Sequence, residues 1–284
     1  MKIGIFDSGL GGLIVARAIR KLMPEYDYVY LGDTKRVPYG NRSHDTVYEF
    51  TCEALDYLFE KENCAIVIIA CNTASARALA RIQKEYLPAV ALAKEGLSKK
   101  FPTSAGGSNK KVLGVLIPSA EECAKYNRVG VLATRGTVSS ESFPKEIKKL
   151  NWGAKIFQNS APLLVPLAEE GETALAKEFL KKYLKPLLAE NIDALALGCT
   201  HYPIFKKEIK RLIPKDVRII SQDEIIPKKL KDYFARHPEI EKKLSKNKRK
   251  IGTTKILVTD ITKSVAELSK KWFGDNALPK AMNL

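Results

Sequence analysis

Two short apolar segments that each end at a cysteine constrain the fold of this chain most. The first covers residues 65–70 and ends at Cys71, and the second covers residues 194–198 and ends at Cys199. A short, continuously apolar run is typical of a buried strand in a parallel sheet. In open α/β sheets, ligands bind beyond the carboxyl ends of the strands. The two segments therefore predict two thiols at ligand-binding sheet edges.

Strand-like and helix-like segments alternate along the whole chain, which predicts mainly parallel sheets built from βαβ units. Polar loops follow the strands in both halves, and this repetition favours two similar, pseudo-symmetric α/β domains with the active site in the cleft between them. We predict a first domain formed by residues 1–108 and 222–284, and a second formed by residues 109–221. Within the second domain, residues 112–117 are expected to form its first strand.

The composition argues against several classes of protein. The chain has 284 residues, of which 45% are hydrophobic and 28% are charged, as in ordinary globular proteins. No apolar run approaches the roughly 20 residues that cross a bilayer, and the first residues lack the apolar region of a signal peptide. The five cysteines are an odd number, which argues against a disulfide scaffold and favours the reducing cytoplasm.

The net charge of +16 raises the question of nucleic-acid binding. Most of the cations are lysines scattered along helical segments, as on a solvated surface. The densest cluster, residues 242–250, has no interleaved aromatic residues on which bases could stack. We therefore do not expect nucleic acid as a partner, although a regulatory protein that binds nucleic acid or a DNA enzyme stays an alternative.

Cys71 and Cys199 differ from the other cysteines because a predicted helix begins just beyond each of them. The partial positive charge of a helix N-terminus favours a thiolate. His201, two residues after Cys199, could accept or donate a proton. The other cysteines lack such surroundings and are expected to be structural: Cys52, Cys64 and Cys123.

Carboxylates and small polar groups follow the same strand ends. Asp7 and Asp33 each come just past a strand, where they could cap a turn, but the two thiols favour a role at the site. Four further side chains suit the carboxylate and ammonium groups of a small substrate: Ser8, Asn72, Thr73 and Thr200.

Three kinds of chemistry use paired cysteines. A disulfide redox couple normally needs C-x-x-C spacing, which is absent. Cys71, Cys199 and His201 could supply three metal ligands, but no C-x-x-C or H-x-x-x-H pair supports a metal site. In the third chemistry, a thiolate removes a proton from one face of a carbon acid and a thiol delivers a proton to the other face. This third interpretation predicts an enzyme that inverts a carbon centre by proton transfer.

Six motifs extend the interpretation to most of the chain, and together they resemble the aspartate/glutamate racemase family, in particular its members that act on glutamate. The motifs are DSGLGG (7–12), GDTKRVPYG (32–40), ACNTAS (70–75), VGVLAT (129–134), PLLVPLAEEG (162–171) and LGCTHYP (197–203). The resemblance implies a cofactor-independent, metal-free isomerase of the cytoplasm, often a homodimer, that interconverts L-glutamate and D-glutamate for peptidoglycan synthesis.

The resemblance also implies a role for individual residues. Cys71 and Cys199 would take the α-proton from opposite enantiomers. The residues that would assist the thiols are Asp7, Asp33, Glu169 and His201. The residues that would contact the substrate are Asp7, Ser8, Tyr39, Gly40, Asn72, Thr73, Thr200 and His201. A racemase of aspartate or another acidic amino acid is the nearest alternative, and the motifs at 32–40 and 197–203 favour glutamate.

Three segments depart from the family pattern. Residues 88–108 look like an insertion, residues 242–250 look like extra length, and residues 159–161 read Asn-Ser-Ala where many members carry a cysteine. None of them includes a matched catalytic position.

Overall fold

The structure is a computed structural model that describes residues 1–87, 110–247, 251–274 and 278–284. The described strands are β1 (Lys2–Asp7), β2 (Tyr28–Gly32), β3 (Cys64–Ile69), β4 (Lys111–Gly114), β5 (Arg128–Ala133), β6 (Lys155–Ser160), β7 (Ala194–Gly198), β8 (Arg218–Ile220), β9 (Thr254–Val258) and β10 (Pro279–Ala281).

Helices connect these strands along most of the chain. The described α-helices are α1 (Gly12–Leu22), α2 (His44–Glu60), α3 (Asn72–Arg77), α4 (Leu79–Arg81), α5 (Leu116–Cys123), α6 (Arg135–Ser139), α7 (Ser142–Leu150), α8 (Leu164–Glu169), α9 (Thr173–Leu188), α10 (Lys206–Leu212), α11 (Gln222–Arg236), α12 (Pro238–Glu241) and α13 (Lys263–Phe273). Single 3-10 turns cover Tyr39–Asn41 and Tyr202–Phe205, and a π-helical turn covers Ile82–Tyr86. No helix in the described ranges is long and apolar enough to cross a membrane.

The strands form two parallel sheets whose orders repeat. The six-stranded sheet has the order β10-β9-β2-β1-β3-β4, and the four-stranded sheet has the order β6-β5-β7-β8. The order β6-β5-β7-β8 of the second sheet thus repeats the order β2-β1-β3-β4 of the first, with β5 in the place of β1 and β7 in the place of β3. Cys71 follows β3 and Cys199 follows β7, so the two thiols occupy equivalent places. The predicted α/β class and pseudo-symmetry are confirmed.

The two cysteine-bearing strands are apolar throughout because both of their faces are covered. Along β3, Ile66 and Ile68 pack into one core cluster, while Val67 and Ile69 pack into the cluster on the opposite face. The residues of β7 divide in the same way between the two clusters of the second sheet. Since side chains alternate between the faces of a strand, burial on both faces leaves no polar position.

The prediction for residues 112–117 is wrong in two respects. The strand ends at Gly114 and helix α5 begins at Leu116. The strand also hydrogen-bonds to β3 and so belongs to the first sheet, although the predicted boundary at residue 109 places it in the second domain. A short apolar run does not distinguish a strand from a buried helix, and it does not say which sheet receives it.

The end of the chain returns to the first sheet, as predicted, because β9 pairs with β2. The short edge strand β10, which pairs with β9, was not predicted. It has three residues and begins with a proline, so it carries almost no strand pattern. The insertion at residues 88–108 lies outside the described residues, as do residues 248–250 of the basic run.

Candidate active site

The carboxyl ends of strands from both sheets surround one cavity of about 550 Å³. Most of the predicted site residues line it: Ser8, Tyr39, Gly40, Cys71, Asn72, Thr73, Glu169, Cys199, Thr200 and His201. The other two, Asp7 and Asp33, are fully buried and do not line it. The structure thus brings the predicted thiols and polar groups to one cavity and places the two aspartates behind its wall.

Cys71 caps the N-terminus of α3. The backbone N–H of Ala74 donates to its Sγ at 3.4 Å, and the Sγ lies 3.3 Å from the hydroxyl oxygen of Ser8. Burial and the nearby charge of Asp7 raise the pKa of the Cys71 thiol to about 12, although hydrogen bonds from Ser8 and Ala74 oppose the shift. At neutral pH, Cys71 is therefore a protonated thiol, which can act as an acid.

Cys199 has a different environment because a histidine lies beside it. Its Sγ is 3.8 Å from Nδ1 of His201, whose Nε2 is 3.0 Å from Oε1 of Glu169. Burial lowers the pKa of His201, but hydrogen bonds and charge interactions with Cys199 and Glu169 outweigh it and raise the pKa to about 10. The imidazole is therefore a cation at neutral pH, and it lies beside the Cys199 sulfur. The two thiols thus have different electrostatic surroundings.

Asp7 connects the two halves behind the thiols. One carboxylate oxygen accepts a hydrogen bond from the backbone N–H of Gly9 at 3.1 Å, and the other accepts one from the Thr200 hydroxyl at 3.5 Å. Burial raises the pKa of this carboxyl group. Because Asp7 in turn raises the pKa of Cys71, it helps to keep that thiol protonated.

Asp33 is held by three donors, of which only Tyr39 lines the cavity. Its oxygens accept hydrogen bonds from Tyr39 at 2.5 Å, Arg36 at 2.6 Å and Thr259 at 2.8 Å. Its contacts thus position the ring of Tyr39, which lines the cavity, and none of them is with a thiol. Any effect of Asp33 on the chemistry passes through Tyr39, so its predicted assistance to the thiols stays a prediction.

Side chains from the second half reach the start of α3 directly. The hydroxyl of Thr73 lies 2.9 Å from that of Thr134, and the amides of Asn72 and Gln222 form two hydrogen bonds. Neither Thr134 nor Gln222 was predicted as a site residue. Thr134 ends the motif VGVLAT, which could have indicated it, whereas Gln222 has no local pattern that marks it.

The sequence analysis also missed the apolar wall of the cavity and its exposed cation. The wall residues are Val37, Pro38, Pro162, Leu163, Val165, Pro166 and Tyr183. Arg135, which is exposed, is the only arginine or lysine among the lining residues of the described chain. Nowhere in the described ranges do three or more His, Cys, Asp or Glu side chains form a group that could hold a metal ion.

Gly11 allows Thr200 and His201 to approach the start of α1. A Cβ added at Gly11 would lie 2.5 Å from both Thr200 Oγ1 and His201 Nδ1. Overpacking of this kind costs about 1–3 kcal/mol, so we expect Gly11→Ala to lower kcat/KM by about fivefold or more. Steady-state kinetics with thermal unfolding would measure the effect. Gly153→Ala is the matched control, since its nearest atom would be 3.8 Å away. Unchanged kinetics of Gly11→Ala would contradict the prediction.

Comparison with known proteins agrees with this geometry. The family model described as Asp/Glu/Hydantoin racemase matches residues 14–225. Glutamate racemase from Sulfurihydrogenibium sp. is 37% identical over 280 residues, which cover 97% of this chain and 95% of the relative.

Two crystal structures extend the similarity to the fold. Glutamate racemase from Bacillus anthracis superposes with a TM-score of 0.84 at 31% identity, over 100% of this chain and 97% of the other. The enzyme from Francisella tularensis, solved in complex with D-glutamate, has a TM-score of 0.82 at 28% identity, over 99% and 97% of the two chains. From the matched model and the relatives, the chain belongs to the Asp/Glu/hydantoin racemase family.

Proposed function

We propose that this protein is a glutamate racemase, an isomerase that interconverts L-glutamate and D-glutamate by proton transfer at Cα without a cofactor. The observation that carries the proposal is that Cys71 and Cys199 line one cavity in opposite electrostatic surroundings. A two-base racemase needs one base and one acid at the same moment, each tuned by its surroundings. The similarity to glutamate racemases over nearly the whole chain supports this substrate over other acidic amino acids.

The proposed reaction gives the two thiols opposite roles. Beside the His201 cation, the Cys199 thiolate removes the α-proton from one enantiomer and leaves a carbanion at Cα. The Cys71 thiol then donates its proton to the opposite face, which inverts the centre. The enzyme finishes as a Cys199 thiol and a Cys71 thiolate, the form that catalyses the reverse direction. Proton exchange with solvent restores the starting form.

The charge of the cavity suits an acidic amino acid. Glutamate carries two carboxylates and one ammonium group at neutral pH. The lining supplies the cations Arg135 and His201 and the carboxylate of Glu169. The hydroxyls of Ser8, Thr73 and Thr200 and the amide of Asn72 add hydrogen-bonding groups. Charge-assisted hydrogen bonds to carboxylates are strong, which supports Arg135 and the hydroxyls as substrate contacts.

The cellular setting is part of the same proposal. We infer that the protein acts in the cytoplasm as a homodimer and supplies D-glutamate for peptidoglycan synthesis. The support is the motif resemblance and the similarity to glutamate racemases along the chain. Size-exclusion chromatography with light scattering would test the dimer, and a monomer at working concentration would contradict it.

Racemisation of L-glutamate in D2O tests the function. Purified protein without added pyridoxal phosphate or metal is expected to abolish the circular dichroism of L-glutamate, because it produces equal amounts of both enantiomers. Mass spectrometry is expected to find one deuterium at Cα, since the donated proton comes from a solvent-exchanged thiol. The same assay with aspartate measures substrate preference. Absence of exchange with either enantiomer of glutamate would contradict the proposal.

A further inference from the structure

Gln222 is a buried side chain that reaches the site from the second half of the chain. It is 1% exposed and begins α11, just after β8. Asn72, which is 2% exposed, lines the cavity directly after Cys71. Nδ2 of Asn72 donates to Oε1 of Gln222 at 2.9 Å, and Nε2 of Gln222 donates to Oδ1 of Asn72 at 2.5 Å. The two amides thus form a closed, reciprocal pair.

We propose that Gln222 is a positioning residue, which holds the Asn72 amide in the plane that binds the substrate carboxylate beside Cys71. This inference rests on the proposed racemase function. A primary amide has two N–H donors and a carbonyl with two lone pairs. The pair uses one donor and one lone pair of Asn72, so one N–H is left for a ligand in the cavity. A hydrogen bond from that N–H to a carboxylate is charge-assisted.

Burial makes the pair important for the orientation of Asn72. A buried polar group that loses its partner bears its full desolvation cost, so Asn72 without Gln222 would turn toward other partners. The amide would then leave the plane that the pair imposes, and the remaining N–H would no longer meet the substrate. The effect is expected in binding and turnover of glutamate.

Other contacts hold the α3 backbone without Gln222. The Thr73 hydroxyl meets Thr134, and Nε of Arg77 donates to the carbonyl oxygen of Gly136 at 3.1 Å. The Ser142 hydroxyl also donates to the carbonyl oxygen of Ala76 at 2.9 Å. A change at Gln222 is therefore expected to release the Asn72 side chain and leave the position of Cys71 in place.

The substitution Gln222→Glu tests the inference through a pH profile. As a carboxylic acid, Glu at position 222 can donate to Asn72 and accept from it, so the pair persists. As a carboxylate it can only accept, and it then repels the Asn72 oxygen. Burial raises the pKa of such a carboxyl group. We expect kcat/KM of Gln222→Glu to approach that of wild type at low pH and to fall by at least about tenfold as the group ionises.

The value of kcat/KM should be measured from about pH 5.5 to about pH 9, and the value for each variant should be divided by the wild-type value at the same pH. Gln222→Ala is expected to show a reduced ratio at every pH, because it can form neither hydrogen bond. Circular dichroism at each pH confirms that the compared proteins are folded. If Gln222→Ala does not fold, Gln222→Glu at low pH still provides the comparison.

Gln83→Glu is the matched control for the change from amide to carboxylate. Gln83 is exposed, donates to the carbonyl oxygen of Val112 at 3.2 Å and does not line the cavity. The kcat/KM of Gln83→Glu relative to wild type should not change with pH.

The inference would be overturned if kcat/KM of Gln222→Glu relative to wild type also stayed constant with pH. Wild-type values of kcat and KM for Gln222→Ala would overturn it too. An inactive wild type would instead contradict the racemase function itself.

Discussion

Replacement of Cys71 or Cys199 by alanine is expected to lower racemisation of glutamate by about 10²–10⁴-fold, the usual contribution of one general acid or base. Both thiols line the same cavity, but only Cys199 has a cationic histidine beside it. In the proposed mechanism each sulfur serves one face of Cα, so neither can take the place of the other. Circular dichroism of L-glutamate and of D-glutamate solutions measures the loss in both directions.

Each alanine variant keeps one base, which allows a sharper test than loss of activity. The remaining thiol can remove and return the α-proton on its own face, without inversion. We therefore expect Cys71→Ala to exchange the α-proton of only one enantiomer with D2O, and Cys199→Ala to exchange that of only the other. Mass spectrometry of the separate enantiomers measures this exchange.

Cys52→Ala is the matched control for the loss of a thiol. Cys52 is a half-buried residue of α2 that does not line the cavity, so its replacement should leave racemisation at the wild-type rate. The two-thiol mechanism would be wrong if either Cys71→Ala or Cys199→Ala racemised glutamate at that rate. Exchange of the same enantiomer by both variants would also contradict it.

His201→Asn is expected to lower kcat/KM for glutamate by about 10²-fold in both directions, because the two enantiomers have equal free energy and one preorganised charge-stabilising group is worth about this much elsewhere. His201 is buried, lies 3.8 Å from the Cys199 sulfur and has its pKa raised to about 10. Asparagine keeps a polar side chain but carries no charge. Initial rates from each enantiomer at low substrate concentration measure kcat/KM in the two directions.

The raised pKa of His201 also fixes the sign of a pH effect. The imidazole is a cation below about pH 10 and neutral above it, so the rate that depends on the cation should hold through neutral pH and fall as the pH rises through about 10. His201→Asn should lack this fall. Glu169→Gln keeps an acceptor for His201 but removes the negative charge that raises its pKa, so the fall should move to lower pH.

His237→Asn is the matched control because His237 also lies beside a carboxylate. Its Nδ1 is 3.2 Å from Oε1 of Glu239, but the pair lies outside the cavity. Its replacement should leave the rate and its pH dependence unchanged. A His201→Asn protein with the wild-type fall near pH 10 would show that another group titrates there.

Local sequence patterns were sufficient to predict the two thiols of the cavity and the small polar side chains that follow them. Cys71 and Cys199 stand out because strands buried on both faces, such as β3 and β7, leave continuous apolar runs that end abruptly. The alternation of strands and helices likewise predicted parallel sheets. Asp33 shows the limit of this reasoning. Its position after a strand predicted a place in the site, but its carboxylate accepts hydrogen bonds from Thr259 and Arg36 and lies behind Tyr39, away from the cavity.

The sequence by itself determined which residues end the strands and therefore which chemical groups reach the sheet edges. Only the tertiary structure decided that β4 joins the first sheet, that Gln222 pairs with Asn72, and that His201 lies between Cys199 and Glu169. The reason is physical. Strand and helix patterns arise from neighbouring residues, whereas these contacts join distant parts of the chain and depend on how both sheets pack around the cavity.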